Sequence, residues 1–341
     1  MTIAIIGAGL AGLSAARALI AAGRDVVLLD KGRGVGGRMA TRRFADGVYD
    51  TGAQFFTVRD PRFAAEIARL EAAGVVVPWC QGFPLLGSAQ ALDGFPRYRA
   101  VGGMNRVAKH LANGLTVRSG VTVTSLAARG TGWTLTVEPG DLAKPGAQPT
   151  GPAETLAAEE VILTAPAPQA AALLTRSGLP VDAQLAAVRY APCLCLLLSF
   201  PAATGPLLPE PGGLRFSDDP AVSWLASQRA KGLITAGEGL VVHTTPEFSA
   251  QHYGRSDAEI LAVLLPAATA ALARAGITNA PAASELKKWK FSLPVVTVPA
   301  ETLRVPAAAP LWLAGDAFGD RPRVEGAWLS GLAAAQAITS H

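Results

Sequence analysis

The opening of the chain constrains its fold more than any other segment. Ile3-Ala4-Ile5-Ile6 is a short β-branched run, followed at once by Gly7-Ala8-Gly9-Leu10-Ala11-Gly12 and an Ala- and Leu-rich stretch to about Ala22. A second apolar run, Val26-Val27-Leu28-Leu29, ends in Asp30, eighteen residues past Gly12. Strand, glycine turn, helix and strand in so short a span imply two parallel strands joined by a right-handed crossover. Each glycine has its own duty in such a turn. Gly7 permits the tight bend, Gly9 lets the backbone approach a pyrophosphate, and Gly12 lets helix and strand pack closely. The N-terminus of the helix that follows offers free N–H groups and a partial positive charge to phosphates. Gly23 is well placed to end that helix. Asp30 is placed to accept hydrogen bonds from a ribose hydroxyl. The expected ligand is a dinucleotide, although this motif alone does not tell nicotinamide from flavin.

The next segment narrows the choice. Lys31-Gly32-Arg33-Gly34-Val35-Gly36-Gly37-Arg38-Met39 follows Asp30 directly. A glycine-rich loop ending in an arginine makes a second phosphate clamp, from backbone N–H groups and a guanidinium fork.

Bulk properties exclude several classes. At 341 residues the chain exceeds one ordinary core and suggests two domains. Half of it is apolar and 16% is charged, which is globular and not disordered. A formal charge of +4, with no Lys/Arg run interleaved with aromatics, argues against nucleic acid as a partner. It does suit phosphate-bearing ligands. The three cysteines, Cys80, Cys193 and Cys195, make no disulfide framework. Cys193 and Cys195 would share one face of a strand and are expected as small core residues, not as a metal or redox pair. Residues 1–22 are apolar but lack a basic leader and are interrupted by glycines, so they do not read as a signal peptide. No segment reaches the roughly 18 uninterrupted apolar residues of a membrane span. A soluble, cytoplasmic protein with no membrane span is the expectation.

Further along, helices are expected near Pro61–Ala73, Asn105–Ala112 and Asp257–Ala275, and strands at Thr116–Val123, Trp133–Val137, Val161–Leu163 and Leu311–Leu313. Pro139–Pro152 reads as a polar loop. The fold class expected is α/β. A Rossmann-type dinucleotide domain, three-layered on a parallel sheet, comprises residues 1–55, 97–184 and 298–341. An inserted α+β substrate domain comprises 56–96 and 185–297.

The Gly36-Gly37-Arg38 loop after a β–α–β unit resembles that of the large FAD family of amine oxidases and phytoene desaturases, with the p-hydroxybenzoate hydroxylase-like architecture. Asp50-Thr51-Gly52-Ala53-Gln54-Phe55-Phe56 resembles the stretch passing the flavin ring there. Gly315-Asp316 and Val324-Glu325-Gly326-Ala327 resemble the last FAD contacts, and Val123 the strand residue whose backbone meets the adenine. Within that family the chain is most similar to the renalases, their bacterial branch in particular. The segments carrying this are Asp30–Gly34, Gly36–Met39, Gly52–Asp60, Thr164–Ala170, Trp224-Leu225-Ala226 and Arg323–Gly331; Val242–Thr245 and Lys288-Trp289 resemble substrate-domain segments.

This resemblance implies non-covalent FAD held by Gly7, Gly9, Leu10, Ala11, Gly12, Asp30, Lys31, Gly37, Arg38, Met39, Gly52, Ala53, Gln54, Phe55, Val123, Gly315, Asp316, Val324, Glu325, Gly326 and Ala327. It implies hydride transfer from dihydropyridine isomers of NAD(P)H to the flavin, with molecular oxygen as acceptor and hydrogen peroxide as product. His243, Gln54, Trp289 and Arg323 are the candidate catalytic residues, with Phe56 and Trp224 as further pocket candidates. Lys288 is a weaker candidate, as an analogue of the amine oxidase lysine that holds a water. Amine oxidases usually carry an aromatic residue where this chain has Arg323. A guanidinium there would repel an ammonium and attract phosphate or carboxylate, unless it turns away to pair with Asp320. The first turn of the last helix would stabilise an anionic reduced flavin. No nucleophile dyad and no metal spacing is visible. A small-amine or amino-acid oxidase and a non-catalytic FAD-fold binding protein are the alternatives.

Overall fold

The computed structural model describes residues 2–45, 47–87, 93–142, 144 and 146–340. The expected polar loop Pro139–Pro152 includes residues 143 and 145, which lie outside that description. By internal contacts the chain forms two units. One comprises Met1–Gly37, Ala108–Arg189 and Pro294–His341; the other comprises Arg38–Val107 and Tyr190–Leu293. Residues 38–55 and 97–107, expected with the dinucleotide domain, group with the second unit. A physical reason is Asp50, whose carboxylate binds Met104 and Lys231 of that unit.

The first unit opens with β1 (Thr2–Ile6), α1 (Leu10–Ala21) and β2 (Asp25–Asp30). Ile3, Ala4 and Ile5 are fully buried, as befits a strand covered on both faces. β1 pairs in parallel with β2 on one side and with Glu160–Leu163 on the other. Among the described residues the sheet order is Leu303–Arg304, Leu311–Leu313, Glu160–Leu163, β1, β2, Thr116–Ser119. Only the outermost pair, Leu303–Arg304 with Leu311–Leu313, is antiparallel. The expected strand Thr116–Val123 is in fact two. Gly120, at φ +72°, turns the chain, so that Val121–Arg129 joins a separate antiparallel sheet with Gly132–Pro139 and Glu154–Ala158. The terminal helix Val324–Thr339 lies against α1, where small residues let the backbones meet. A Cβ on Gly331 would strike the Ala11 carbonyl, and Ser14 Oγ donates to the Trp328 carbonyl at 2.8 Å.

The second unit is built on an antiparallel sheet in the order Gly213–Arg215, Val222–Ser227, Glu238–Thr244, Arg189–Phe200, Ala283–Val296. Alternation divides its side chains between two faces. Leu196, Leu198, Leu225, Leu240 and Val242 pack with Ile260, Leu264 and Ala268 of the helix Asp257–Arg274. That helix starts at a full capping box, Ser256 with Glu259. The other face carries Cys195, Leu197 and Val241, packed with Tyr49 and Trp289, and beside them Trp224 and Ala226 with Phe83. Cys193 and Cys195 are buried and unbridged in the strand Arg189–Phe200. Burial pushes the Cys193 thiol up to about 12, which keeps it protonated and inert.

Among the described residues no helix is long and apolar enough to cross a membrane.

Candidate functional site

In the first unit the glycine turn has the geometry its sequence requires. Gly7 sits at φ +114°, a conformation that disfavours any side chain, and its N–H donates to the Leu29 carbonyl at 2.8 Å. A Cβ on Gly12 would collide with the Gly7 carbonyl. A Cβ on Gly9 would meet nothing within 4 Å, so the space above it is open. Gly9 is the N-cap of α1 and no side chain caps the helix. The first N–H groups, near Leu10 and Ala11, therefore remain available to an anion.

Asp30 does more than its strand-end position suggests. Its Oδ2 accepts from Ala8 N at 2.6 Å and its Oδ1 from Gly32 N at 2.7 Å. Burial pushes the carboxyl up from its ordinary value, and these two amide donors oppose that shift. Asp30 thus braces the glycine turn after β1 and the turn after β2 while keeping lone pairs for a hydroxyl. The second glycine loop closes onto the first. Gly36 N donates to Ala8 O at 2.8 Å, and a Cβ on Gly37 would lie 3.6 Å from Gly9 Cα. The Lys31 ammonium lies 3.7 Å from Asp141 Oδ1. Val123 is buried in its strand, opposite Val137 beside a bulge.

The last motif lies in this unit too. Gly315 stands at φ +150° and its N–H donates to Ser330 Oγ at 2.8 Å. Asp316 and Glu325 are buried. A Cβ on Gly326 would strike the Arg321 carbonyl, and Ala327 N donates to Arg323 O at 3.0 Å. Arg323 caps the terminal helix at φ +101°, and no side chain caps the helix start at Val324. Asp320 does not take Arg323. It lies 3.9 Å from Arg321, which also reaches Glu325 at 3.7 Å. The glycine turn, the open space over Gly9, the braced acid and the uncapped terminal helix fit a dinucleotide cofactor.

In the second unit Arg38 donates to the Phe291 carbonyl at 3.1 Å and lies 5.6 Å from the Tyr190 ring centroid. Met39 is buried next to it in sequence. Ala53 N donates to Arg38 O at 3.0 Å, and Gly52 packs so closely that a Cβ would strike that same carbonyl. Gln54 is buried, and its amide binds the protein itself. Nε2 donates to the Asp50 and Gly52 carbonyls at 2.5 and 3.1 Å, while Oε1 accepts from Lys231 at 3.4 Å. Trp289 Nε1 donates to Thr51 O at 2.7 Å.

Two sequence-named candidates sit elsewhere. Phe56 stacks on Tyr98, ring centroids 5.6 Å apart, and packs on Phe63; its neighbour Phe55 is the residue that meets Phe83 and Trp224. Lys288 lies on a strand, donates to Arg255 O at 2.9 Å and approaches Asp257. It sits beside the Tyr253 ring, away from the Trp289 indole contact.

Sequence reading missed the buried pair at the centre of this unit. Lys231 Nζ lies 2.5 Å from Asp50 Oδ2, and both side chains are 0% exposed. Asp50 Oδ1 accepts from Thr41 Oγ1 at 2.6 Å and Met104 N at 2.7 Å, and its own N–H donates to Gln228 Oε1 at 3.0 Å. Burial lowers the Lys231 ammonium's pKa and Asp50 opposes that shift. His243 is close enough to feel Lys231. Burial, then that ammonium, pushes the imidazole down to about 4, against a hydrogen bond to the Thr51 backbone. No spacing rule links Asp50 to a lysine 181 positions away.

Comparison with known proteins agrees with this architecture. A family model described as an NAD(P)-binding Rossmann-like domain matches residues 5–70, and one described as flavin containing amine oxidoreductase matches residues 88–339. The fold is similar to a putative protoporphyrinogen oxidase from Exiguobacterium sp. 255-15, at 14% identity and TM-score 0.73, over 99% of this chain and 98% of that one. It is similar to a putrescine oxidase bound to putrescine, at 16% identity and TM-score 0.71, over all of both chains. Cyclohexylamine oxidase from Brevibacterium oxydans IH-35A matches at 14% identity and TM-score 0.72, over 99% of this chain and 98% of that one.

Proposed function

Since the chain belongs to the flavin containing amine oxidoreductase family, a family of flavin-dependent oxidoreductases, we propose that it is a renalase-like oxidase of dihydropyridine isomers of NAD(P)H. FAD is held non-covalently. The first unit binds it through the Gly7–Gly12 turn, Asp30, Gly37 and the start of the terminal helix. The second unit contributes Gln54, His243 and Trp289 as substrate residues and Arg38 as a phosphate contact, and the first unit contributes Arg323. When bound, FAD would supply the two-electron redox chemistry, as acceptor of the substrate's hydride with oxygen as the final oxidant.

What the chain's own groups supply is placement and electrostatics. Oxidising a dihydropyridine yields an aromatic pyridinium, so hydride leaves without general-base help. The N–H groups at the start of the terminal helix favour negative charge on whatever faces them.

Arg323 carries the substrate reading. The family's amine oxidases place an aromatic residue at its position, and here a guanidinium stands there, while Asp320 and Glu325 lie within ion-pair distance of Arg321. No side-chain hydrogen bond or ion pair ties Arg323 down among the described residues. It favours a phosphate-bearing substrate over an ammonium. Anaerobic mixing with borohydride-generated NAD isomers tests this: the isomers should bleach the flavin far faster than ordinary NADH. Equal, slow bleaching by both would overturn the proposal.

A small amine is the second reading. The rings of Phe55, Phe83 and Trp224 pack together, with centroids 4.7 to 5.6 Å apart, and can form part of a cage. Two of the similar structures bear the names of amine oxidases. Peroxide release from a panel of small amines, without response to the NAD isomers, would favour it.

A further inference from the structure

Two buried polar atoms on one face of the second unit's sheet have no partner, the Nε1 of Trp224 and the Nε2 of His243. The two residues are neighbours. They stand directly opposite each other in the antiparallel pair Val222–Ser227 and Glu238–Thr244, which puts both side chains on one face. It is the face away from the helix-packed leucines.

Their chemistry is complementary. An indole N–H only donates. His243 is neutral over the working range, since its pKa sits at about 4. Its bond to the Thr51 backbone is one that favours protonation, so the imidazole donates there, to a carbonyl. The nitrogen that donates carries the ring's one hydrogen, and Nε2 is left with a bare lone pair that only accepts. Buried polar atoms are normally paired, and an adjacent unpaired donor and acceptor invite a ligand that completes both.

We propose that Trp224 Nε1 and His243 Nε2 form a donor–acceptor pair that reads a primary carboxamide. The amide oxygen accepts from the indole and the amide nitrogen donates to the imidazole. The two charged groups most relevant to this family of substrates satisfy only half of the pair. An ammonium has donors only and leaves the indole N–H unpaired. A carboxylate has acceptors only and leaves the imidazole unpaired. This inference rests on the dihydropyridine reading, whose substrates carry such an amide on the reacting ring. Holding the amide fixes the ring's in-plane rotation and so which ring carbon is presented for hydride transfer. The Phe55 ring, 5.6 Å from that of Trp224, adds an apolar wall beside the pair.

The test is equilibrium binding to the FAD-loaded wild-type protein, followed by calorimetry. The probes are NAD, its 3-acetylpyridine analogue and its nicotinic acid analogue. The acetyl group keeps the carbonyl and replaces NH2 by methyl; the acid keeps only acceptors. NAD should bind about ten- to a hundredfold more tightly than either, because each analogue leaves one buried atom unpaired. His243→Phe should bring NAD and the acetyl analogue to within about twofold of each other, while Trp224→Phe should weaken both by a similar factor of about ten. Binding of all three probes with equal affinity overturns the carboxamide pair and leaves the proposed function standing. Failure of any pyridine nucleotide to bind overturns both.

Discussion

Replacing Lys231 by methionine tests whether the second unit is organised around its buried ion pair. The ammonium lies 2.5 Å from Asp50 Oδ2, and neither side chain is exposed. Removing it leaves a buried carboxylate. Breaking one partner of such a pair costs about 3–5 kcal/mol, most of it the cost of the uncompensated charge. Asp50 Oδ1 keeps two donors, Thr41 Oγ1 and Met104 N, which places the expected loss at the lower end, about 3 kcal/mol. With a denaturant slope of about 3 kcal/mol per molar urea, the midpoint moves by about 1 M. Urea titration followed by tryptophan fluorescence reads this directly. The companion variant Lys231→Met/Asp50→Asn removes both charges and should recover at least half of the loss. A Lys231→Met protein within about 1 kcal/mol of wild type, or a double variant worse than the single one, would refute the reasoning.

Gly12→Ala drives a methyl into the Gly7 carbonyl, so the purified protein should lose its yellow colour, measured as FAD bound per chain. Arg323→Met should raise the Kd for NAD by about tenfold and flatten its salt dependence, read by titration at two ionic strengths. Unfolded His243 takes up a proton near pH 6.5 and the folded residue only near 4, so the unfolded chain binds more protons in between. Stability should therefore fall as pH drops through that window, by at most about 3 kcal/mol, and His243→Phe should remove that part of the slope in urea melts at pH 7 and 4.5. Asp30→Ala frees the amides of Ala8 and Gly32, so it should weaken FAD retention more than Asp30→Asn, which keeps an acceptor.

What could be read in advance was local. The β1–α1–β2 unit is written in consecutive residues, so apolar runs, glycine spacing and Asp30 define it without tertiary information. The helix Asn105–Ala112 was legible in the same way. The strand Thr116–Val123 was over-extended because Gly120 resembles a tolerated glycine until its φ is known. Gln54 was legible as a residue of the site segment, but its role as a brace depends on Lys231, which arrives from a distant loop. Phe55 was read as a cofactor contact and Phe56 as a pocket residue, but which of the two rings meets Trp224 could not be read from sequence. Neighbours on an extended chain face opposite ways, and only the packing reveals that Phe55 joins Trp224.

The substrate choice can also be argued from protons. An amine reaches an enzyme at neutral pH as an ammonium and must lose a proton before hydride departs. In the second unit His243 is a poor holder for that proton, with a pKa of about 4. Lys231 is already bound to Asp50, and Gln54 does not titrate. A dihydropyridine has no such requirement, since its nitrogen lone pair becomes part of the aromatic product. A neutral imidazole is then an asset, because it accepts a hydrogen bond without asking for a charge. The buried Lys231 and the acceptor on His243 belong to one device: the ammonium fixes the segment Asp50–Gln54, and its field adds to the larger effect of burial in keeping the imidazole neutral. Neutralising that charge in Lys231→Met should raise the His243 pKa, and NMR titration of the imidazole is the direct measurement. A pKa that stays at about 4 would mean that burial alone sets it, and that the lysine serves only to hold the segment.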